Sequence, residues 1–363
     1  MTIPTNSENN FPKARFNPFY LSEMMKKIFN RSSSRIDCER LEGDASDRSY
    51  FRISLKSDAG QKNIHSLIIM QLKEPVLDAE TDFTRILKFL RDLALPAPEL
   101  FYYDVRKGLL FLEDCGTKTL EDQLNAFPQE KTQLYRQAVE LLVYMQCRAT
   151  SSIDSTCPAY NLKFDVKKLM WEFSFMLDNY VDELCASPLE SLARKELIET
   201  FTPICESLAA EKVCFTHRDY HSRNLMFNQK GLVLIDFQDA RMGPCQYDLV
   251  SLLRDSYVQI DDVLTDELVD FYIQLKEKEE GLKVDREKFG QIFDEMSIQR
   301  NLKAIGTFAY QSIKKNNNRY RGFIPPTLKY VQKALRNRFK DTPLERVLLK
   351  HIPGLDRNEA FKL

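Results

Sequence analysis

The sequence predicts an α+β protein of two lobes, with a small N-terminal β-sheet lobe that carries one main helix and a larger, mainly helical C-terminal lobe. Between residues 41 and 112, alternating apolar patterns typical of strands surround one helical stretch. After residue 114, long stretches with helical periodicity dominate. The change of pattern at residues 113–116 is the expected boundary between the lobes. With 363 residues, the chain is long enough for both.

The N-terminal lobe is predicted over residues 41–114. SYFRISL and HSLIIMQL, separated by the polar turn SDAGQKN, have the composition of a hairpin. TDFTRILKFLRDLAL has helical spacing and ends where Pro96 and Pro98 cannot continue a helix. ELFYYDV and GLLFLED predict two further strands.

The remaining chain divides into an N-terminal extension, the C-terminal lobe and a tail. Residues 1–40 are expected to begin as a polar, mobile segment and to continue as a helix over FYLSEMMKKIFNRSSSRID. The C-terminal lobe is predicted over residues 115–345, and a tail over 346–363. The helices expected in the C-terminal lobe include TLEDQLNAF, EKTQLYRQAVELLVYMQCRA, VKKLMWEFSFMLDNYVDEL and PLESLARKELIETFTPICESLAA.

Charge and cysteine content exclude several classes of function. The net charge is −1, from 52 basic and 53 acidic residues, which gives no indication of nucleic acid or a membrane surface as a partner. Eight cysteines without a C-x-x-C pair, and only four histidines, argue against a zinc site and favour a reducing compartment. No signal-peptide pattern or long apolar stretch is present, so we expect a cytoplasmic protein with a small-molecule partner and no obligate protein partner.

The most informative segment is HRDYHSRN at residues 217–224, followed by LIDF at 234–237. A carboxylate at Asp219 and, five residues later, an amide at Asn224 share one short loop, and Asp236 ends an apolar strand. Carboxylate and amide oxygens suit Mg²⁺, which keeps several waters and needs few protein ligands. Asp219 is suited to accept a proton from a hydroxyl. This spacing predicts phosphoryl transfer from ATP with Mg²⁺, with Asp219 as the base and Asn224 and Asp236 as metal ligands.

Three further residues are expected to support this loop. His217 is predicted to brace the loop, because a carboxylate already occupies the position of the base. His221 either contacts the transferred phosphoryl group or holds the loop. Asp248 precedes a helix and is interpreted as its N-cap, with a contact to the catalytic loop as the alternative.

The nucleotide is expected to contact the N-terminal lobe and the segment between the lobes. GDASDRSYFR at residues 43–52 precedes and enters the first predicted strand, and its single glycine makes it a weak phosphate-binding motif. Ser46 and Arg48 are the candidate phosphate contacts within it, an ordinary polar turn being the alternative. Backbone groups around Glu113 and Cys115 are candidates for binding adenine.

These residues resemble the aminoglycoside-phosphotransferase-like, protein-kinase-like superfamily. Within it, the chain is most similar to bacterial cell-wall-recycling kinases that phosphorylate N-acetylmuramate and N-acetylglucosamine at the anomeric hydroxyl. The strings that carry the resemblance are GDASDRSYFR, LLFLEDCG, HRDYHSRNLMF, IDFQDARMGPCQYDLVSLLRDSY and QRNLKAIGTFA, and it covers about residues 41–340.

The resemblance implies the bilobal fold, the roles of Asp219, Asn224 and Asp236 given above, an ATP cleft between the lobes, and a sugar pocket on the helical lobe. The residues expected in that pocket flank the catalytic segments and are Arg223, Gln238, Arg254 and Asp255. The chain departs from typical kinases at the strand lysine that pairs with a helix glutamate. Lys73 lies beyond the apolar part of its strand, so phosphate binding is expected to depend on Arg48 or Lys73.

Two other functions are compatible with the sequence. One is a kinase of the same fold that acts on another small alcohol, such as an aminoglycoside, a choline-like compound or an amino acid. Another is a catalytically silent nucleotide-binding module. A protein kinase is disfavoured because the DFG glycine and the A-P-E sequence are missing after Asp236. The aromatic residues of the helix at 166–184 are interpreted as core, an aromatic lid over a sugar being the alternative; they are Trp171, Phe173, Phe175 and Tyr180.

Overall fold

The N-terminal lobe is built on a five-stranded antiparallel sheet. The computed structural model describes residues 14–30, 35–41, 48–56, 65–76, 78 and 80–356. The strands of the sheet are β1 (Arg35–Leu41), β2 (Ser49–Lys56), β3 (His65–Gln71), β4 (Leu100–Asp104) and β5 (Leu109–Glu113). They lie in the order β1-β2-β3-β5-β4, and every neighbouring pair is antiparallel. The predicted strands of this lobe are all present.

Each face of this sheet is covered by one helix. Helix α1 (Pro18–Phe29) packs on the face that carries Phe51 and Ile53, and helix α2 (Asp82–Asp92) belongs to the cluster formed on the opposite face with Met70. Side chains of a strand alternate between the two faces, so a single apolar run serves both helices. The Thr81 side chain caps α2.

The helix predicted to reach residue 37 is shorter than expected. Helix α1 ends at Phe29, and Asn30 has the left-handed φ of 51° that is common just after a helix. Residues 35–41 instead form β1, which pairs with β2 along its whole length. The helical prediction was wrong there because a short edge strand with charged residues has a weak apolar pattern. The predicted mobile segment covered residues 1 to about 20, and α1 already begins at Pro18 within it. Residues 1–13 of that segment and the turn at 57–63 lie outside the described residues.

The C-terminal lobe is mainly helical, as predicted. Its helices are α3 (Leu120–Ala126), α4 (Lys131–Ser152), α5 (Pro158–Asn161), α6 (Val166–Met176), α7 (Ser191–Ala209), α8 (Gln246–Leu253), α9 (Asp262–Glu280), α10 (Arg286–Lys314), α11 (Ile324–Arg338) and α12 (Pro343–His351). Two strand pairs interrupt them, made of β6 (Val213–Thr216) with β9 (Arg241–Pro244), and β7 (Leu225–Asn228) with β8 (Gly231–Leu234). Helix α6 continues as a π-helical segment, Leu177–Leu184.

Helix α10 is the central element of this lobe. It is 29 residues long and packs against α6, α7, α8 and α11. At its crossing with α6, a Cβ atom on Gly306 would lie 2.7 Å from the Cα atom of Met176. A glycine is therefore required for the two helices to approach this closely. The close crossing brings the middle of α10 beside the loop that follows β6.

Two general properties of the chain follow from its described residues. All eight cysteines are free thiols, of which Cys115, Cys157, Cys205 and Cys214 are buried. None of the described helices combines the length and the apolar character needed to cross a bilayer.

Candidate active site

Two buried carboxylates hold the loop at residues 217–224 in place. Asp248, in the first turn of α8, accepts hydrogen bonds from the backbone N–H groups of His217 at 2.7 Å and Arg218 at 2.9 Å. Asp255 accepts from the backbone N–H of Ser222 at 2.9 Å and from its hydroxyl at 2.5 Å. The loop is therefore fixed at both ends by groups of the helical lobe, as a site that must position reacting groups requires.

Asp248 does not cap its helix, contrary to the interpretation from the sequence. The N-cap of α8 is Cys245, and Asp248 lies within the first turn. Burial raises the pKa of Asp248 to about 7, although its two bonds to backbone N–H groups act in the opposite direction. The contact with the catalytic loop, which was the alternative interpretation, is the one the side chain makes.

The backbone is strained at two positions of the site. Arg218 has a φ of 80° and Asp236 a φ of 63°, in the left-handed region that few non-glycine residues adopt. Such conformations cost of order 1–3 kcal/mol each, so surrounding contacts must stabilise them. At Arg218 the guanidinium is paired with Asp239 at 3.0 Å and lies 3.6 Å from Glu172.

The three residues predicted to carry the chemistry lie together. The Asn224 side-chain amide donates to the backbone carbonyl of Asp219 at 3.0 Å and lies 3.4 Å from the Asp236 carboxylate. The backbone N–H of Ile235 also donates to the Asn224 carbonyl at 3.1 Å. These contacts join the loop after β6 to the segment after β8, so that both carboxylates converge on one place.

A lysine far away in the sequence completes this cluster. The Lys303 ammonium, from the middle of α10, donates to Asp219 Oδ1 at 2.9 Å. Burial alone would raise the pKa of Asp219, but the charges of Lys303 and Arg218 hold it well below its ordinary value. Asp219 is therefore an ionised hydrogen-bond acceptor. Sequence reasoning missed Lys303, although QRNLKAIGTFA is one of the strings that carry the resemblance.

Both histidines of the loop are neutral, and His217 is fully buried whereas His221 is partly exposed. Burial lowers the pKa of His217 to about 4 and that of His221 to about 3. The His217 ring meets the Tyr220 ring edge-on at 5.8 Å, and the His221 ring meets that of Tyr257 at 5.2 Å. Packing contacts of this kind suit a bracing role, which stays a prediction for His217 and one of the two alternatives for His221.

The environment of Asp236 is compatible with a divalent cation. Desolvation by the surrounding protein raises the pKa of its carboxyl group above the ordinary value, although the residue itself is exposed to solvent. Gln238 donates to Oδ1 at 2.7 Å and the Asn224 amide faces Oδ2. A cation would neutralise this carboxylate, and a rotated Asn224 amide would offer its oxygen to the same ion. The described residues contain no cluster of three histidine, cysteine or acidic side chains, so such an ion would rely on phosphate and water for its other ligands.

On the N-terminal lobe, Arg48 lies near the same cluster. Its guanidinium is 5.8 Å from the Phe83 ring, which stacks on Phe237 at 5.1 Å. The charge of Arg48 also lowers the pKa of Asp236, although less than desolvation raises it. Lys73 is instead exposed beyond the end of β3. Of the two predicted phosphate-binding cations, Arg48 is thus the one beside Asp236, and Ser46 lies outside the described residues.

The lysine–glutamate pair of typical kinases has no counterpart on β3 and α2. Strand β3 has the sequence HSLIIMQ, without a lysine, and Met70 belongs to the cluster on its α2 side. The buried side of α2 consists of Phe83, Thr84, Ile86, Leu87 and Leu90. This explains why the sequence offered no secure assignment for that ion pair.

The segment between the lobes is fixed by an arginine of the sheet. Arg52 Nε donates to Asp114 Oδ2 at 2.9 Å, and Arg52 Nη2 donates to the Gly116 carbonyl at 2.7 Å. The φ of Gly116 is 96°, which favours glycine at this turn. The Glu113 N–H donates to the Glu99 carbonyl at 2.8 Å, and Cys115 is buried. The predicted roles of Glu113 and Cys115 in adenine binding stay predictions.

The four residues predicted to bind substrate lie in different surroundings. Arg223 pairs with Glu121 at 2.6 Å, and Gln238 donates to Asp236. Arg254 is 3% exposed and lies near the rings of Phe293 and Tyr330, and Asp255 is buried against Ser222. Gln238 is the member of this set that contacts the converging carboxylates, and substrate binding by the four stays a prediction.

The aromatic stripe at 166–184 divides into two parts. Phe173 and Tyr180 are buried in the core, as expected. Trp171 is 55% exposed and stacks on Phe175 at 5.5 Å, and Phe175 in turn lies 5.6 Å from the Tyr310 ring. The core interpretation was therefore wrong for Trp171, because the helix periodicity that groups these residues does not show which side faces solvent.

Comparisons with known proteins give a consistent result. Residues 37–282 match the profile described as the phosphotransferase enzyme family. The N-acetylmuramate/N-acetylglucosamine kinase of Pseudomonas aeruginosa is 29% identical, with 81% of this chain and 82% of the relative covered. The protein of the same name from Neisseria meningitidis serogroup B is 28% identical, with 88% of this chain and 91% of the relative covered.

Solved structures with the same fold are more distant in sequence. A choline kinase from Cryptosporidium parvum superimposes with a TM-score of 0.60 at 11% identity, and covers 92% of this chain and 100% of its own. A spectinomycin phosphotransferase in complex with ADP and spectinomycin superimposes with a TM-score of 0.56 at 14% identity, covering 92% of this chain and 98% of its own. At such identities the likeness is one of fold.

Proposed function

Because the chain belongs to the phosphotransferase enzyme family, we propose that it is an ATP-dependent kinase of a small amino sugar, acting on the anomeric hydroxyl of N-acetylmuramate and N-acetylglucosamine. The convergence of Asp219, Asn224 and Asp236 carries the proposal for the reaction. The two relatives named above support the proposal for the substrate. We further propose that the reaction uses Mg²⁺.

The contacts at Asp219 suit the orientation of an acceptor hydroxyl. One carboxylate oxygen is bonded to Lys303, which leaves Oδ2 to accept the hydroxyl proton. A carboxylate of low basicity is a weak base for an ordinary alcohol. It is better matched to a hemiacetal hydroxyl, which is more acidic because of its ring oxygen.

Asn224 and Asp236 would hold Mg²⁺ together with the phosphates of ATP. The ion, when bound, neutralises phosphate charge and aligns the γ-phosphoryl group. Arg48 would add a positive charge on the N-terminal side, and the segment at residues 113–116 would contact adenine. The lobes would thereby fix the two reactants in line, which is the main contribution of enzymes to this reaction.

The test is an ADP-release assay of the purified full chain with a panel of acceptors. The panel holds N-acetylmuramate, N-acetylglucosamine, their anomerically blocked methyl glycosides, choline and an aminoglycoside. We expect release with the two free sugars and none with the blocked glycosides. Release with choline or the aminoglycoside alone would overturn the sugar assignment, and the absence of release with every acceptor would favour a silent nucleotide-binding module.

A further inference from the structure

The Lys303 ammonium lies beside Asp219, and none of the functions proposed above explains why a lysine is placed there. Its ammonium lies 2.9 Å from Asp219 Oδ1, and its side chain is 14% exposed, beside the 23% exposed carboxylate. The ammonium carries three N–H donors, and Asp219 is its acceptor among the described residues. Two donors therefore remain for a group that enters the site from solvent.

Lys303 is not needed to balance the buried carboxylates of the catalytic loop. Arg300, one turn earlier on α10 and 4% exposed, acts through its charge on both Asp248 and Asp255 and lowers their pKa values, although less than burial raises them. Lys303 instead acts on Asp219. Helix α10 thus supplies one cation for the loop-holding carboxylates and another for the carboxylate that faces the reactants.

Phosphoryl transfer needs a positive charge close to the transferred group, beside Asp219. A transferred phosphoryl group spreads negative charge over its oxygens, and kinases neutralise it with metal ions and basic side chains. Strand β3 has no lysine, and the buried side of α2 has no acidic residue. An acceptor oxygen bonded to Asp219 would bring the phosphoryl oxygens within hydrogen-bond reach of any donor on the same carboxylate.

We propose that Lys303 is a catalytic residue that bridges Asp219 and the phosphoryl group during its transfer. The acceptor oxygen bonds to the γ-phosphorus while the bond from that phosphorus to the β–γ bridging oxygen breaks. ADP leaves with the electron pair, the hydroxyl proton passes to Asp219, and Lys303 donates to a phosphoryl oxygen throughout. This inference rests on the proposed kinase function and assigns the charge-neutralising group within it to the C-terminal lobe.

The experiment compares wild type with Lys303→Met, Lys303→Arg and the control Lys314→Met. Lys314 lies on the same helix and pairs with Glu183 at its exposed end. We expect Lys303→Met to lower kcat by roughly 10²–10³-fold, the usual effect of removing one preorganised donor to a developing charge. The KM values for ATP and sugar should change by less than fivefold. Lys303→Arg should recover part of kcat, and Lys314→Met should match wild type.

A binding measurement separates this role from a structural one. We expect Lys303→Met to bind ADP and sugar like wild type, and to lose most of the extra affinity for the ternary complex of ADP, aluminium fluoride and sugar, which mimics the phosphoryl group in transfer. Equal affinity of both proteins for that complex, or an unchanged kcat, would overturn the inference. If wild type itself releases no ADP, the proposed function fails instead.

Circular dichroism shows whether each variant has folded. If Lys303→Met has not, Lys303→Gln takes its place in both measurements, because its shorter polar side chain is easier to accommodate beside Asp219. The same losses of kcat and of affinity for the aluminium fluoride complex are expected, and wild-type values of either would overturn the inference.

Discussion

The two sides of the candidate site are constructed differently. On the C-terminal side, Asp248 and Asp255 fix the loop through buried hydrogen bonds, and Lys303 fixes the carboxylate that the loop carries. On the N-terminal side, β3 and the buried side of α2 lack the lysine–glutamate pair of typical kinases, and the positive charge of Arg48 acts on Asp236. In the proposed kinase, the helical lobe would therefore position the acceptor, whereas the nucleotide side would rely on fewer charged groups.

The largest expected effect is on the C-terminal side. Asp219→Ala removes the group proposed to accept the proton of the acceptor hydroxyl, and should lower kcat by roughly 10²–10⁴-fold. ATP affinity, measured by calorimetry, should stay within a few-fold of wild type, because the carboxylate is proposed to contact the acceptor and not the nucleotide. Retained turnover would remove Asp219 from the base role and would place the decisive chemistry elsewhere in the cleft.

On the N-terminal side, we expect a smaller effect, which is mainly on the KM for ATP. Arg48→Met should raise the KM for ATP roughly tenfold, equivalent to about 1.4 kcal/mol, with kcat for the sugar changed less. Lys73→Met is the matched control, since Lys73 is exposed beyond the end of β3. An effect of Lys73→Met that equals or exceeds that of Arg48→Met would show that the phosphate-binding cation has been assigned to the wrong residue.

The sequence predicted those parts of the site that are close together in the chain. Asp219, Asn224 and Asp236 fall within 18 consecutive residues, and their spacing alone indicated phosphoryl transfer. The contact of Lys303 with Asp219 spans 84 positions. It depends on how α10 crosses the lobe, and no local pattern of α10 encodes it.

The fold was predictable to a similar degree and for the same reason. The strands β2 to β5 and the long helices have strong periodic patterns, so their type followed from the sequence. Strand β1 exists because β2 offers it a partner, and its own residues gave a helical interpretation. The exposure of Trp171 likewise depends on which neighbours α6 meets, and therefore was not visible before the structure.

Two glycine substitutions on α10 test how closely this helix packs against α6 in the C-terminal lobe. Gly306→Ala places a Cβ atom against the Met176 backbone and should destabilise the protein by about 1–3 kcal/mol. Gly290→Ala, on the same helix, meets only the end of the Arg338 side chain at 3.5 Å and should stabilise by about 0.5–1 kcal/mol. Urea unfolding measures both, and equal effects would contradict the close crossing.

The smallest expected effect concerns pH and Asp248. Its folded pKa of about 7 lies above its ordinary value of 3.8, so the folded chain retains a proton that the unfolded chain loses. This stabilisation is present below about pH 4 and is lost as the pH rises toward about 7. Asp248→Asn should therefore show a smaller loss of melting temperature between about pH 4 and about pH 7 than wild type.

The control for Asp248→Asn is Asp270→Asn, which removes an exposed carboxylate paired with Arg286. Its melting temperature should depend on pH as that of wild type does between about pH 4 and about pH 7. An Asp248→Asn protein with the same pH dependence as wild type would mean that Asp248 is ionised throughout. In that case the hydrogen bonds from the loop backbone would lower the pKa of Asp248 more than burial raises it.

We propose that the converging groups at positions 219, 224 and 236 transfer a phosphoryl group to the anomeric hydroxyl of an amino sugar. Phosphorus NMR of the reaction with ATP, Mg²⁺ and N-acetylmuramate tests it most directly. We expect a new phosphate resonance coupled to the anomeric proton, formed by wild type and missing with Asp219→Ala. A phosphate coupled to another sugar position, or the same product from Asp219→Ala, would contradict it.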